Sequence, residues 1–394
     1  MRFLSVIVLL ALTACTRPYA TPFVEGASRA PGLLDLLETE VATLAASPPG
    51  APSARVIATH GMCSHQSAEW VAKRLALYES VMERLPHLPD PLALRRVSEV
   101  ETTVARLRTR GGHEVELVLL RWGHMVDDAR ATLVYDSGQA PRDVALGIAS
   151  EELLDPERGS LTGPFRVELV NRCLVDAAVY MGRAGDAIRH AMRQALCEAL
   201  GGRPDRTTGG AEGAPGTRMA CARDGAVVVP VVLVPESLGS IILLDAFAAL
   251  GEEAEGLAAE TRGEVRGIYL ISNQIPLLSL ANPDAPGPAA LAGGAGAGDD
   301  PLRNFLRLRA LAPQPARTRP LPIVALTDPN DFLSYRLHPE RYPRAEAMNV
   351  LVSNGPTILG LFSHPLRAHE GYERDQVFDI VLFGWPDRRR ASTR

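Results

Sequence analysis

The stretch "VVLVPESLGSIILLDAF", residues 231–247, puts a serine where chemistry can be done. A run of β-branched and apolar residues breaks at Pro235-Glu236-Ser237-Leu238-Gly239 and resumes with helical periodicity, so Ser237 stands where a buried strand must turn abruptly into a helix. A serine hydroxyl attacks an acyl carbon well only when a base takes its proton. That base in turn needs a carboxylate to fix its tautomer and stabilise its charged form. Candidates for both lie downstream: "DPNDFLSY" holds Asp328 and Asp331, and "HPLRAHEGY" holds His364 and His369. His87, His113, His190 and His338 read as solvated or packed residues. Neither His60 with His65 nor His364 with His369 has the spacing of a HExxH metal site, so no catalytic metal is expected, and nothing calls for a cofactor.

Positioning these side chains is the task of alternating strands and helices. "RVIATHG" (55–61), "HEVELVLLRWG" (113–123), "AVVVPVVLV" (226–234), "VRGIYLIS" (265–272), "LPIVALT" (321–327) and "MNVLVS" (348–353) read as strands. Residues 67–85, 239–250 and 370–383 read as helices, and apolar positions recurring every three or four residues from Phe165 to Leu200 predict one long amphipathic helix. Residues 124–164 are poorly patterned, and 282–300 form a Gly/Ala/Pro-rich low-complexity loop. Such alternation predicts an α/β fold, a mostly parallel central sheet with helices on both faces and with insertions. In these sheets chemistry gathers at the carboxyl ends of the strands, which is where Ser237, the two aspartates and the two late histidines fall.

The Pro-x-Ser-x-Gly turn resembles the GxSxG nucleophile elbow of the serine α/β-hydrolases, keeping Gly239 and placing Pro235 where the family has its first glycine. "THGMCSH" (59–65) is similar to the His-Gly oxyanion loop of lipases, and "AHEGY" to the histidine loop of lipase-like members. Carried over residue 54 to about residue 385, the resemblance implies Ser237 as nucleophile, His369 as base and Asp331 as acid, in the family's chain order. It favours Asp331 over Asp328, leaving Asp328 to hold the turn, and His369 over His364, which precedes Pro365. Met62 N–H and Leu238 N–H would form the oxyanion hole, with His60 orienting the loop. The implied activity is a serine hydrolase cleaving carboxylic esters or lipids, lipase- or esterase-like; amides and thioesters use the same machinery. Residues 124–164 are either a lid or a packed surface insertion. Pro235 and Glu236 keep a second class open, a catalytically inactive hydrolase-fold lipoprotein that binds an envelope partner.

The 394 residues are 46% hydrophobic and 22% charged, a globular composition, and a net charge of -5 offers no basic field for nucleic acid. Lys73 is the single lysine, from which nothing functional follows. Arg2 followed by the apolar run Phe3–Ala14 is too short to span a bilayer and reads as a signal peptide over residues 1–14. "LTAC" (12–15) resembles a bacterial lipoprotein signal, which implies acylation of Cys15, a tether over residues 15–50, and a hydrolase domain over 51–390 held at the cell envelope. Thr16, in place of Asp, favours the outer membrane. Export leaves Cys63, Cys173, Cys197 and Cys221 in a compartment where disulfides persist. On one helix Cys173 and Cys197 would be roughly 36 Å apart. Cys197–Cys221, closing the Gly-rich loop between them, is the favoured bridge, and free buried thiols the alternative.

Overall fold

A computed structural model describes residues 15–16, 23–27, 30–42, 51–63, 67–86, 98–134, 166–205, 220–223, 225–250, 256–281, 300–312, 320–354, 357–358, 365–374 and 376–384. Its main sheet is built from β1 (Phe23–Glu25), β2 (Ala54–Thr59), β3 (Glu83–Arg84), β4 (Glu101–Arg108), β5 (Glu114–Arg121), β6 (Val231–Pro235), β7 (Val265–Ile271), β8 (Leu321–Thr327) and β9 (Ala345–Leu351). The order across the sheet is β1-β9-β8-β7-β6-β2-β5-β4-β3. From β9 to β5 the strands run parallel, while β1 pairs antiparallel with β9, and β4 and β3 extend the opposite edge antiparallel. The sheet is therefore mostly parallel but mixed.

Period-two alternation divides the inner strands between two cores. Ile57, Val231, Leu233, Ile268, Leu270, Ile323 and Ala325 face one side with α3 (Gly185–Ala199), α4 (Gly239–Ala249) and α5 (Pro301–Arg309). Val56, Ala58, Val232, Val234, Tyr269, Val324, Leu326 and Val350 face the other with α1 (Leu33–Ala42), α2 (Ser67–Glu79) and α6 (Gln376–Phe383). Because both faces are covered, the central strands read as near-continuous apolar runs. Truncating one of their fully buried side chains, such as Leu233 to Ala, would cost about 2–5 kcal/mol.

Several elements differ from the sequence expectation. The single helix predicted over Phe165–Leu200 is instead a π-helical segment (Arg166–Leu174), a short α-helix (Val175–Met181) and α3, separated at residues 182–184. The break is tight: a Cβ at Gly185 would stand 1.9 Å from the Tyr180 carbonyl oxygen, so only glycine fits. β4 joins β5 as an antiparallel hairpin that the half-buried "ETTVARLR" did not announce. Helices at Leu257–Gly263 and in α5 were also missed, although Asp300 caps α5 by accepting from Arg303 N–H at 2.8 Å, with Pro301 following. The closing helix expected over 370–383 is two helices, Pro365–Glu370 and α6, joined by a 3-10 turn at Tyr372–Arg374.

The tether expected over residues 15–50 is corrected in part. β1 adds an edge strand to the sheet, and α1 packs Leu33 and Leu37 into the second core, so apolar side chains in this stretch anchor it to the domain. Cys15–Thr16 pairs antiparallel with Thr357–Ile358. The signal segment 1–14 lies outside the described residues. So does most of the expected lid: of residues 124–164, only 124–134 are described, as the end of a 3-10 turn and a helix over Asp127–Val134. Arg130 ties that helix down, bonding both oxygens of buried Asp176 at 3.0 and 2.8 Å and the Gly123 carbonyl at 3.0 Å. Among the described residues no helix is long and apolar enough to cross a membrane.

Candidate functional site

The sheet's carboxyl edge brings three of the sequence-selected side chains into one line. Ser237 follows β6, Asp331 follows β8, and His369 sits near the end of the helix Pro365–Glu370, within it rather than ahead of the closing helix as expected. Ser237 Oγ lies 3.3 Å from His369 Nε2, and His369 Nδ1 lies 3.0 Å from both carboxylate oxygens of Asp331. All three residues are buried.

Local chain chemistry explains the serine's place. Its φ of 50° is left-handed, a conformation a non-glycine residue holds only under constraint. Glu236 N–H donates to Thr59 O at 3.0 Å and Ser237 N–H to Ile271 O at 2.7 Å, carrying the ladder past Pro235, which has no N–H to give. α4 begins two residues after Ser237, where a Cβ at Gly239 would stand 2.5 Å from His60 O. Gly61 is pressed as closely against the elbow, since a Cβ there would stand 2.4 Å from Ser237 Cβ. The loop after β2 and the elbow after β6 thus touch backbone to backbone, which requires both glycines.

His60 holds that loop. Its Nε2 accepts from Trp122 N–H and Gly123 N–H, each at 3.1 Å, and its Nδ1–H donates to Gly61 O at 2.7 Å. The ring stacks on Trp122 at 5.1 Å between centroids. Burial lowers its pKa to about 4, only partly offset by the Gly61 bond, so it is neutral and fully engaged at neutral pH. Beyond Met62, Cys63 also has a left-handed φ of 69° and is bonded to Cys173. Cys63 N–H donates to Asp176, which burial pushes up to about 6 against the pull of Arg130. Cys197 is bonded to Cys221, the pairing favoured from sequence. Among the described residues the Met62 and Leu238 amides, the two expected oxyanion donors, have no acceptor of their own.

The two aspartates divide as turn and site. Asp328 accepts from Asn330 N–H at 2.8 Å and Asn354 N–H at 2.7 Å, closing the turn and joining it to the end of β9. Asp331 accepts from Leu333 N–H at 2.9 Å, Ser272 Oγ–H at 2.8 Å and Tyr372 O–H at 3.1 Å besides facing His369. Burial would raise its pKa, but the His369 charge and these donors outweigh that and hold the carboxyl below its ordinary value. His364 and His65 lie outside the described residues.

A cavity of about 340 Å³ opens over Ser237 and His369, and its wall mixes charged Glu69, Lys73, Arg172, Glu370 and Glu373 with apolar Met62, Trp70 and Ile271. Glu236, unassigned a role from sequence, is part of its floor. Its Oε1 accepts from Trp70 Nε1–H at 2.8 Å and Arg74 Nε–H at 2.6 Å, and Arg74 also reaches Glu373 at 3.0 Å. Burial pushes the Glu236 carboxyl up and the buried guanidinium pulls it back. Glu236 is thus a brace between elbow and α2, an ion pair whose rupture would leave a buried charge alone. Ser272, Tyr372, Glu236 and the Cys63–Cys173 link are the site elements that sequence reasoning missed. For Ser272 a signal existed, its place one residue beyond a buried strand. Among the described residues no group of three or more His, Cys, Asp and Glu side chains is placed to hold a metal ion.

Comparison with models of protein families finds no match to this chain, and comparison with curated protein sequences finds no relative.

Proposed function

We propose that the protein is a serine hydrolase of α/β-hydrolase architecture that cleaves carboxylic esters through Ser237, His369 and Asp331. The observation that carries this reading is the unbroken line from Ser237 Oγ through both ring nitrogens of His369 to Asp331, beginning at a serine with positive φ on a strand-to-helix turn. Asp331 fixes the His369 tautomer that leaves Nε2 free to take the Ser237 proton as Oγ bonds the acyl carbon. The carbonyl electron pair moves onto oxygen, where the Leu238 and Met62 amides are free to receive it. Collapse expels the alcohol, which takes the proton back from Nε2, and water repeats the cycle to release the acid.

The modest volume of the cavity, about 340 Å³, and the charged side chains among its lining favour short esters over a long bare acyl chain. Acylation of Cys15 would place this activity at the cell envelope. Pro235 and Glu236, the residues that favour a binding module, do not distort the elbow: the ladder passes the proline and the glutamate is paired.

The purified domain is assayed against p-nitrophenyl acetate, butyrate and palmitate, beside Ser237→Ala. Turnover of the short esters, lost in the variant, is expected. Folded wild-type protein that turns over none of the three, or a Ser237→Ala variant as active as wild type, contradicts the proposal.

A further inference from the structure

Ser272 is the second serine at the carboxyl edge with a left-handed backbone, φ 52°, one residue beyond β7. Its N–H donates to Leu326 O at 3.1 Å, and the residue is buried. Glycine would adopt this conformation without strain, so a serine here needs a reason. The hydroxyl supplies one: Oγ lies 2.8 Å from Asp331 Oδ2 and 2.9 Å from His369 Nδ1. An ionised carboxylate can only accept, so Ser272 donates its proton to Asp331, and its lone pair is left facing Nδ1–H. Among the described residues it is the one side chain besides Asp331 bonded to that nitrogen.

We infer that Ser272 is a positioning residue for the Ser237 reaction, a second acceptor that keeps His369 Nδ1–H aimed at Asp331 while Nε2 gains and loses the serine proton. The inference rests on the hydrolase reading above. Tyr372 and Leu333 N–H also hold Asp331, but neither is hydrogen-bonded to His369. Ser272 fixes acid and base together. The strain in its backbone is the cost of presenting the hydroxyl at that spot.

Strain and function make opposite demands here, and that separates them experimentally. Ser272→Gly removes the hydroxyl and relieves the backbone; Ser272→Ala removes the hydroxyl and keeps the strain. Both are compared with wild type by melting temperature and by inactivation with a fluorophosphonate, resolving the maximal rate from the half-saturating concentration. The maximal rate is expected to fall about 10- to 100-fold in both variants, the range that one hydrogen bond to a charged group covers, with half-saturation unchanged. Ser272→Gly is expected to melt at or above the wild-type temperature. Wild-type rates in either variant, or a loss confined to variants that have lost stability, overturn the inference.

The hydrolase reading fails separately, if wild-type protein is not labelled at all. The positioning claim is then decided by proton NMR of the His369 Nδ1–H. Faster solvent exchange in Ser272→Gly supports it, and an unchanged resonance overturns it.

Discussion

Gly61→Ala probes whether the loop after β2 and the serine elbow work as one unit. The added Cβ would stand 2.4 Å from Ser237 Cβ, 2.9 Å from Glu236 O and 3.0 Å from Ser237 Oγ. Carbon atoms in contact sit about 3.5–4.0 Å apart, so the two backbones must separate by about 1 Å. Neither side yields easily. The elbow is fixed by the Glu236 and Ser237 amide bonds to Thr59 and Ile271, and the loop by His60 and the Cys63–Cys173 link. Overpacking of this kind costs about 1–3 kcal/mol of stability. Its effect on chemistry is larger in proportion: Ser237 Oγ, 3.3 Å from His369 Nε2, would move out of hydrogen-bond range, and a 1 Å misplacement costs about 100-fold. The assay is the rate of fluorophosphonate inactivation at 25 °C beside a denaturant melt, so that lost fold and lost geometry are read separately. A folded Gly61→Ala protein that is inactivated at the wild-type rate would refute the claim that this loop and Ser237 are held at contact.

Three further predictions follow from particular residues. His60 is neutral when folded because burial lowers its pKa to about 4 from 6.5, so the unfolded chain binds a proton that the folded one refuses. Its contribution is complete above pH 6.5 and is lost as the pH falls toward 4, by up to about 3 kcal/mol. Urea melts at pH 7 and 4.5 should show a steeper loss for wild type than for His60→Asn, and equal slopes would remove His60 as the cause. Cys63–Cys173 and Cys197–Cys221 close loops of 110 and 24 residues, so cutting them costs about 5 and about 3.5 kcal/mol by chain entropy. Only Cys173→Ala, which frees the Met62–Cys63 loop, should also slow inactivation of the folded protein, and matching rates in Cys173→Ala and Cys221→Ala would contradict this. Asp331→Asn should cut ester turnover by about 10³- to 10⁴-fold, as loss of the tautomer-fixing acid does, whereas Asp328→Asn should lower the melting temperature far more than turnover. Reversed effects would exchange the roles of the two aspartates.

Much of this site was legible because its signals are local. The break from "VVLV" to a helix at Ser237, and the carboxylates directly after "LPIVALT", need no knowledge of what packs nearby. The choice between Asp331 and Asp328 followed from a resemblance, and the geometry divides them the same way, one facing His369 and one closing a turn. Ser272 was not legible as a site residue because its role depends on Asp331 and His369 arriving beside it, 59 and 97 residues later. Nor was Cys63–Cys173, since it joins residues 110 apart in sequence and the apolar period through Cys173 reads as one continuous helix rather than the π-helical segment that carries it. Pro, Ala and Gly over residues 16–32 suggest a tether, but Phe23–Glu25 finds the free edge of β9. Edge pairing is decided by an open strand elsewhere in the sheet, which composition does not reveal.

The central claim, that Ser237 is an activated nucleophile, is tested most directly by mass spectrometry of the intact protein after exposure to a fluorophosphonate, with the adduct located by peptide mapping. One adduct is predicted, on Ser237, formed at a rate that falls sharply in His369→Ala and absent in Ser237→Ala. Folded wild-type protein that stays unmodified, or an adduct that forms equally in Ser237→Ala, would contradict it.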